Sequence, residues 1–192
     1  MAAQPNATMS VEEYLAFDRA SETKHEYYDG EILAMAGASF AHNLIVGNTY
    51  TSLRGQLRGG NCRVILSDLR LFVQGTGLFA YPDLTVVCGQ PRFGLGSPDI
   101  LLNPTLIVEV LSSSTESHDR GKKFQQYRTI ESLRGYLLIA QDTPRIEHFA
   151  RQTSDLWLFS EAVGMEATLH LPAIDCELTL ADIYQEVELA SE

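Results

Sequence analysis

The run Thr105-Leu106-Ile107-Val108-Glu109-Val110-Leu111 constrains this chain more than any other segment. A strand with one solvated face alternates apolar and polar side chains, and this run has no polar face. It therefore predicts a central strand covered on both sides, the hallmark of a layered α/β core. One charge interrupts it. An ionised carboxylate buried without a partner is costly, so Glu109 needs either a cationic side chain from a neighbouring element or a metal ion.

The rest of the chain supplies the layers. Ser10 and Glu13 have the spacing of a capping box and predict a short helix through about Asp18. Asp29-Gly30 signals a turn leading into a strand over 32–36, with Glu26 just ahead of that turn. From about Ser39 to Leu57, the fourth-residue recurrence of Ile45, Thr49, Leu53 and Leu57 predicts a helix lying on a sheet, its stripe widened by Phe40, Leu44 and Val46. Strands are predicted at 62–66, 68–73 and 83–88 as a meander, with Gly75-Thr76-Gly77 turning between the second and third. A helix over about 117–128 and strands at 136–140 and 145–150 follow the central strand. Beyond Arg151 come short strands at 156–159 and 167–171 and a helix near 180–186. We expect one domain, with residues 1–9 a loose leader, 10–150 the core and 151–192 a C-terminal elaboration.

Composition narrows the function. The formal charge of -11 argues against tight, nonspecific binding to nucleic acid, whose affinity rests on Lys and Arg neutralising phosphates. Part of the acidity falls in a tail around Glu186, Glu188 and Glu192. Lys24, Arg54, Arg58, Arg63 and Arg70 are candidates for phosphate contacts or simply for surface solubility. No run approaches the roughly 20 apolar residues of a membrane span, no secretory signal opens the chain, and a cytoplasmic protein is expected. Cys62, Cys88 and Cys176 are odd in number and far apart, so three reduced thiols are expected. No P-loop, H-E-x-x-H, G-x-S-x-G or Rossmann fingerprint is present, and Ser112-Ser113-Ser114-Thr115 reads as a strand-to-helix loop.

Asp83 lies 26 residues upstream of Glu109, directly after Pro82 and at the head of another apolar strand. Read alone, it suits a turn or cap better than a ligand. If the two strands lie side by side, their carboxylates meet, and a pair of oxygen ligands with room for water is what Mg²⁺ prefers. Lys122 and Lys123 follow on the next helix. At about 100° per residue, the apolar positions Phe124, Tyr127 and Ile130 centre on a direction that Lys123 misses by roughly 40° and Lys122 by roughly 140°. Lys123 should face the sheet, as a site residue or as a stem laid on the core, and Lys122 should face water.

Tyr81-Pro82-Asp83-Leu84 followed by Ile107-Val108-Glu109-Val110-Leu111-Ser112 resembles the signature of the PD-(D/E)XK restriction-endonuclease-like superfamily. With Asp119-Arg120-Gly121-Lys122-Lys123-Phe124, Tyr127, His25-Glu26-Tyr27 and the stretch from Ser39 to His42, the chain resembles the Uma-type family of bacterial restriction endonucleases over about residues 10–150. The superfamily places its lysine two positions after the second carboxylate, where this chain has Leu111; the family pattern places it on the following helix, at Lys123. The resemblance implies a restriction-endonuclease-like core with a mixed central sheet flanked by helices. It implies a Mg²⁺ or Mn²⁺ ion held by Asp83, Glu109 and the carbonyl of Val110, and hydrolysis of phosphodiester bonds. Lys123 would activate the attacking water or stabilise developing charge, and Glu26 would be a further acidic group. His42 matches the family pattern, and a hydrogen bond at a helix end suits it better than metal ligation. The expected substrate is DNA, bound weakly, and the expected assembly a homodimer, because cutting both strands of a symmetric site needs two active sites. The alternative is a binding protein that keeps the fold without catalysis.

Overall fold

A computed structural model describes residues 8–35, 37–112 and 116–189. The first helix, α1 (Val11–Ala20), starts at the Ser10–Glu13 capping box and buries Tyr14, Leu15 and Asp18. Strands β1 (His25–Tyr28) and β2 (Glu31–Ala34) form a hairpin whose two turn residues, Asp29 and Gly30, both have positive φ, the conformation of the tight turns that match strand twist. Thr8 packs so closely on Gly30 that a Cβ there would lie 2.5 Å from Thr8 Cβ. Of the expected leader, Met9 is tied down, its N–H donating to the Gly30 carbonyl and its own carbonyl accepting from Tyr27 Oη. Residues 1–7 and Ala36, the end of the strand expected over 32–36, lie outside the described residues.

The helix α2 (Phe40–Gln56) is capped by Ser39 and buries Ile45, Thr49 and Leu53 as the periodicity predicts. Phe40 does not widen the stripe: as the first helical residue it points outward and is 79% exposed. Next come β3 (Cys62–Leu66), β4 (Arg70–Val73), β5 (Leu78–Ala80), β6 (Leu84–Cys88), β7 (Ile100–Leu101) and β8 (Leu106–Val110). The helical segment after β8 consists of α3 (Glu116–His118), a π-helical turn (Asp119–Lys123) and α4 (Phe124–Tyr127). The chain closes with β9 (Gly135–Ile139), β10 (Arg145–Arg151), β11 (Trp157–Val163), β12 (Thr168–Leu171), β13 (Cys176–Thr179) and α5 (Leu180–Ile183). Of the serine-rich loop, Ser113, Ser114 and Thr115 lie outside the described residues, as does Glu192 of the acidic tail.

The main sheet runs β11-β10-β9-β8-β6-β3, a mixed sheet in which β8 pairs parallel with β9 and antiparallel with β6. Every residue of β8 is buried. Leu106, Val108 and Val110 pack with Ile45 and Leu53 of α2, Leu169 of β12 and Ile183 of α5. Ile107 and Leu111 face the opposite layer, with Tyr127, Tyr136 and Leu71. Alternation along the strand sends Glu109 to that second face, toward the helical segment.

The expected meander is not formed. β3 pairs directly with β6, while β4 and β5 belong to a second sheet, β2-β1-β5-β4-β7. The turn at 75–77 is present, but it joins β4 to the short strand β5, which the sequence reading missed; Gly77 sits there at φ 81. The split follows the packing: Val64 of β3 belongs to the α2 side of the core, whereas Leu71 and Val73 of β4 belong to the layer beneath Glu109. Residues beyond 151 complete the core, since β11 forms an edge of the main sheet and β12, β13 and α5 cover α2.

The expectation of three reduced thiols is also corrected. Cys62 and Cys88 face each other across β3 and β6 and are joined by a disulfide, leaving Cys176 as a buried free thiol. The antiparallel register supplies the reason: it brings together two residues that are 26 positions apart in sequence. No helix among the described residues is long and apolar enough to cross a membrane.

A candidate carboxylate–lysine site

Antiparallel pairing of β6 with β8, in the register Leu84↔Val108, brings the Asp83 end of β6 to the Glu109–Val110 end of β8. Asp83 Oδ2 accepts a hydrogen bond from the Val110 N–H at 2.7 Å, and His42 Nε2 lies 3.2 Å from the same oxygen. Glu26 reaches the site from β1 and is 6% exposed, a burial unusual for a carboxylate. Glu109, 4% exposed, accepts from Tyr127 Oη at 2.9 Å on Oε1.

Lys123 closes the constellation. Its Nζ lies 2.9 Å from Glu26 Oε1, 3.2 Å from Glu109 Oε1 and 3.2 Å from Asp119 Oδ1. Lys123 is 7% exposed and Lys122 is exposed, so the helical geometry chose the inward lysine correctly. Asp119 was not singled out for a role in the sequence reading. The signal was available: it lies four residues before Lys123, the spacing at which two side chains share a helix face. The π-helical turn holds both residues against the sheet, and Arg120 within it is anchored by Glu116 at 2.8 Å and by the buried Glu147.

The electrostatics are those of an over-acidic pocket. Burial raises the Glu109 carboxyl; Lys123 opposes this, but Asp119, Asp83 and Glu26 add to it. Burial works against the Lys123 charge, yet Glu109, Glu26 and Asp119 outweigh it and hold the ammonium well above its usual range. Tyr127 stays protonated, first because it is buried and second because Glu109 lies beside it, so its hydroxyl is a dependable donor.

Among the described residues, no three Asp, Glu, His or Cys side chains converge as a preformed metal cage. Lys123 stands between the carboxylates of Glu26, Glu109 and Asp119 instead. The donor chemistry nonetheless fits a hard divalent cation. Three carboxylates share one ammonium and Asp83 adds a fourth beside Glu109, and such an ion takes one or two carboxylates and completes its shell with water and substrate oxygens.

The candidate phosphate contacts divide. Arg70 is buried, pairing with Asp18 at 2.6 Å and Asp99 at 2.9 Å, so it serves the fold. Lys24 pairs with Asp68 at 2.7 Å, and Arg63 donates to the carbonyls of Gly60 and Cys62. Arg54 on α2 and Arg58 in the turn after it remain exposed, lining a shallow hollow with Tyr50 and Thr51.

Comparison with known proteins places this fold. The fold is restriction-endonuclease-like: it superposes with a TM-score of 0.75 on the crystal structure of a "putative nuclease belonging to DUF820" from Anabaena variabilis, at 18% identity, over 92% of this chain and 97% of that one. The Uma2 family, described as "Putative restriction endonuclease", matches residues 11–182, and the chain belongs to it. Two proteins of Synechocystis sp. strain PCC 6803 are similar. The one named sll1609 is 35% identical over 161 residues, covering 84% of this chain and 91% of its own; slr1290 is 38% identical over 181 residues, covering 94% of each.

Proposed function

We propose that the chain is a Mg²⁺-dependent endonuclease, with Mn²⁺ as a substitute ion, that hydrolyses phosphodiester bonds in DNA. The observation that carries this reading is the convergence of Asp83, Glu109, Glu26 and Lys123 at the adjoining ends of β6 and β8 and the helical segment beneath them. Asp83, Glu109 and the main-chain carbonyl of Val110 would hold the ion. When bound, it supplies a Lewis acid for a phosphate oxygen and a more acidic water.

The chain's own residues do the rest. Lys123 presents a positive charge, fixed in place by Glu26 and Asp119, toward charge developing on the phosphoryl group. Tyr127 fixes one oxygen of Glu109. The acidity of the surface makes DNA binding weak and dependent on the ion. Cutting both strands calls for two copies of the site, so the proposal includes a homodimer, acting in the cytoplasm.

A second reading, a binding protein without catalysis, draws on Leu111 at the superfamily's lysine position and on the net charge of -11. Mn²⁺ uptake, followed by electron paramagnetic resonance, separates the two readings. The natural chain should bind the ion and Asp83→Ala should lose it; no difference between the two proteins would favour the binding protein.

A further inference from the structure

His42 is the one residue at this site that the proposed chemistry leaves without a task. It lies in the first turn of α2, where its backbone N–H donates to the Ser39 Oγ cap at 3.0 Å. Ser39 in turn donates to Gln141 Oε1 at 2.7 Å, so the start of α2 is pinned to the loop after β9. From this fixed base the imidazole reaches Asp83 Oδ2 with Nε2 at 3.2 Å, while Nδ1 is buried and has no hydrogen-bond partner among the described residues. A ring with one nitrogen on a carboxylate and the other bare carries its proton on the engaged nitrogen, so Nε2–H donates to Asp83.

We infer that His42 is a positioning residue for Asp83. A carboxylate on a strand end can turn about its last bond, and the Val110 N–H holds Asp83 by the single oxygen Oδ2. His42 supplies the second restraint on the same oxygen, Oδ2. The other oxygen, Oδ1, would then be held ready for a ligand shared with Glu109. Outer hydrogen bonds of this kind orient metal-ligating side chains and commonly contribute about 10-fold to 100-fold in affinity. Tyr127 does the same for Glu109, so each of the two carboxylates has one oxygen tied to the protein scaffold.

This inference rests on the proposed metal site, and the test keeps the two apart. Mn²⁺ affinity is measured by electron paramagnetic resonance on the full chain, its Asp83→Ala variant, and His42→Ala and His42→Gln; thermal unfolding of each controls for damage to the fold. His42→Ala should bind Mn²⁺ about 10-fold to 100-fold more weakly than the natural chain at nearly unchanged melting temperature. His42→Gln, whose amide can donate from the position of Nε2, should recover most of the loss. Equal binding by His42→Ala and the natural chain, with Asp83→Ala deficient, overturns the inference and leaves the metal site standing. Equal loss in His42→Ala and His42→Gln makes His42 a direct ligand and also overturns it. If the natural chain takes up no Mn²⁺, the proposed function fails, and hydrogen exchange at the Val110 amide decides the role of His42. Exchange should quicken in His42→Ala and not in His42→Gln, since an Asp83 freed on one side leaves the amide more often; unchanged exchange overturns the inference.

Discussion

Asp18→Ala is expected to cost about 3 kcal/mol of folding stability at neutral pH, read as a lower urea midpoint with an unchanged slope. Asp18 is 6% exposed on α1 and is a hub for three other segments. Its Oδ2 accepts from Arg70 at 2.6 Å and from Tyr81 Oη at 2.5 Å, and its Oδ1 accepts from the His25 N–H at 2.8 Å. Removing the carboxylate leaves Arg70, only 4% exposed, with Asp99 alone, and leaves the Tyr81 hydroxyl without its acceptor. Leaving a buried charge short of its partner is what makes such truncations expensive. Two of the tethered residues flank the site: His25 precedes Glu26, and Tyr81 stands two residues before Asp83.

The same substitution has a defined pH signature. Burial would raise the Asp18 carboxyl, but hydrogen bonds from Tyr81, Arg70 and His25 outweigh it and lower the carboxyl below its usual value. A carboxylate lowered in the folded state stabilises above its unfolded pKa of about 3.9, and that contribution fades as pH falls through the folded value. The stability gap between natural chain and variant should therefore be flat from pH 5 to 7 and shrink below about pH 4. A gap under 1 kcal/mol, or one that persists undiminished in acid, would contradict the account.

Lys123→Met should cost more, about 3–5 kcal/mol, because it removes the cation that Glu26, Glu109 and Asp119 share. The three carboxylates would then repel one another in a buried space. The distinguishing result is suppression. Adding Glu109→Gln to Lys123→Met should recover stability, whereas Glu109→Gln alone should lose it, leaving the Lys123 ammonium a partner short. A coupling of 0.5–3 kcal/mol between the two positions is the magnitude expected of residues in one network. Additive effects, or a Lys123→Met protein as stable as the natural chain, would mean that the lysine does not balance these charges.

Much of this site was legible because its residues break local rules. Glu109 is a charge in a strand with no polar face, and Lys123 is a cation on the apolar side of a helix; both violations mark buried partners, and the two prove to be each other's. Asp83 was legible through its place after Pro82 at a strand head. What sequence could not supply was pairing across long separations. The β3–β6 register joins Cys62 to Cys88, and nothing local to either cysteine announces it. β5 and β7 have three and two residues, too short for periodicity to show, so the second sheet was invisible and β4 was assigned to the wrong neighbours. Arg70 was misread for a related reason: its partner Asp18 lies 52 residues away, and an arginine on a short strand resembles a surface cation until that contact is known.

Cleavage of supercoiled plasmid in the presence of Mg²⁺ or Mn²⁺, by the natural chain and by Glu109→Ala purified in parallel, tests the central claim most directly. The account predicts nicked or linear DNA from the natural chain, abolished by chelation of the ion and absent from the variant. Equal inactivity of the two proteins, or equal cleavage by both, would contradict it.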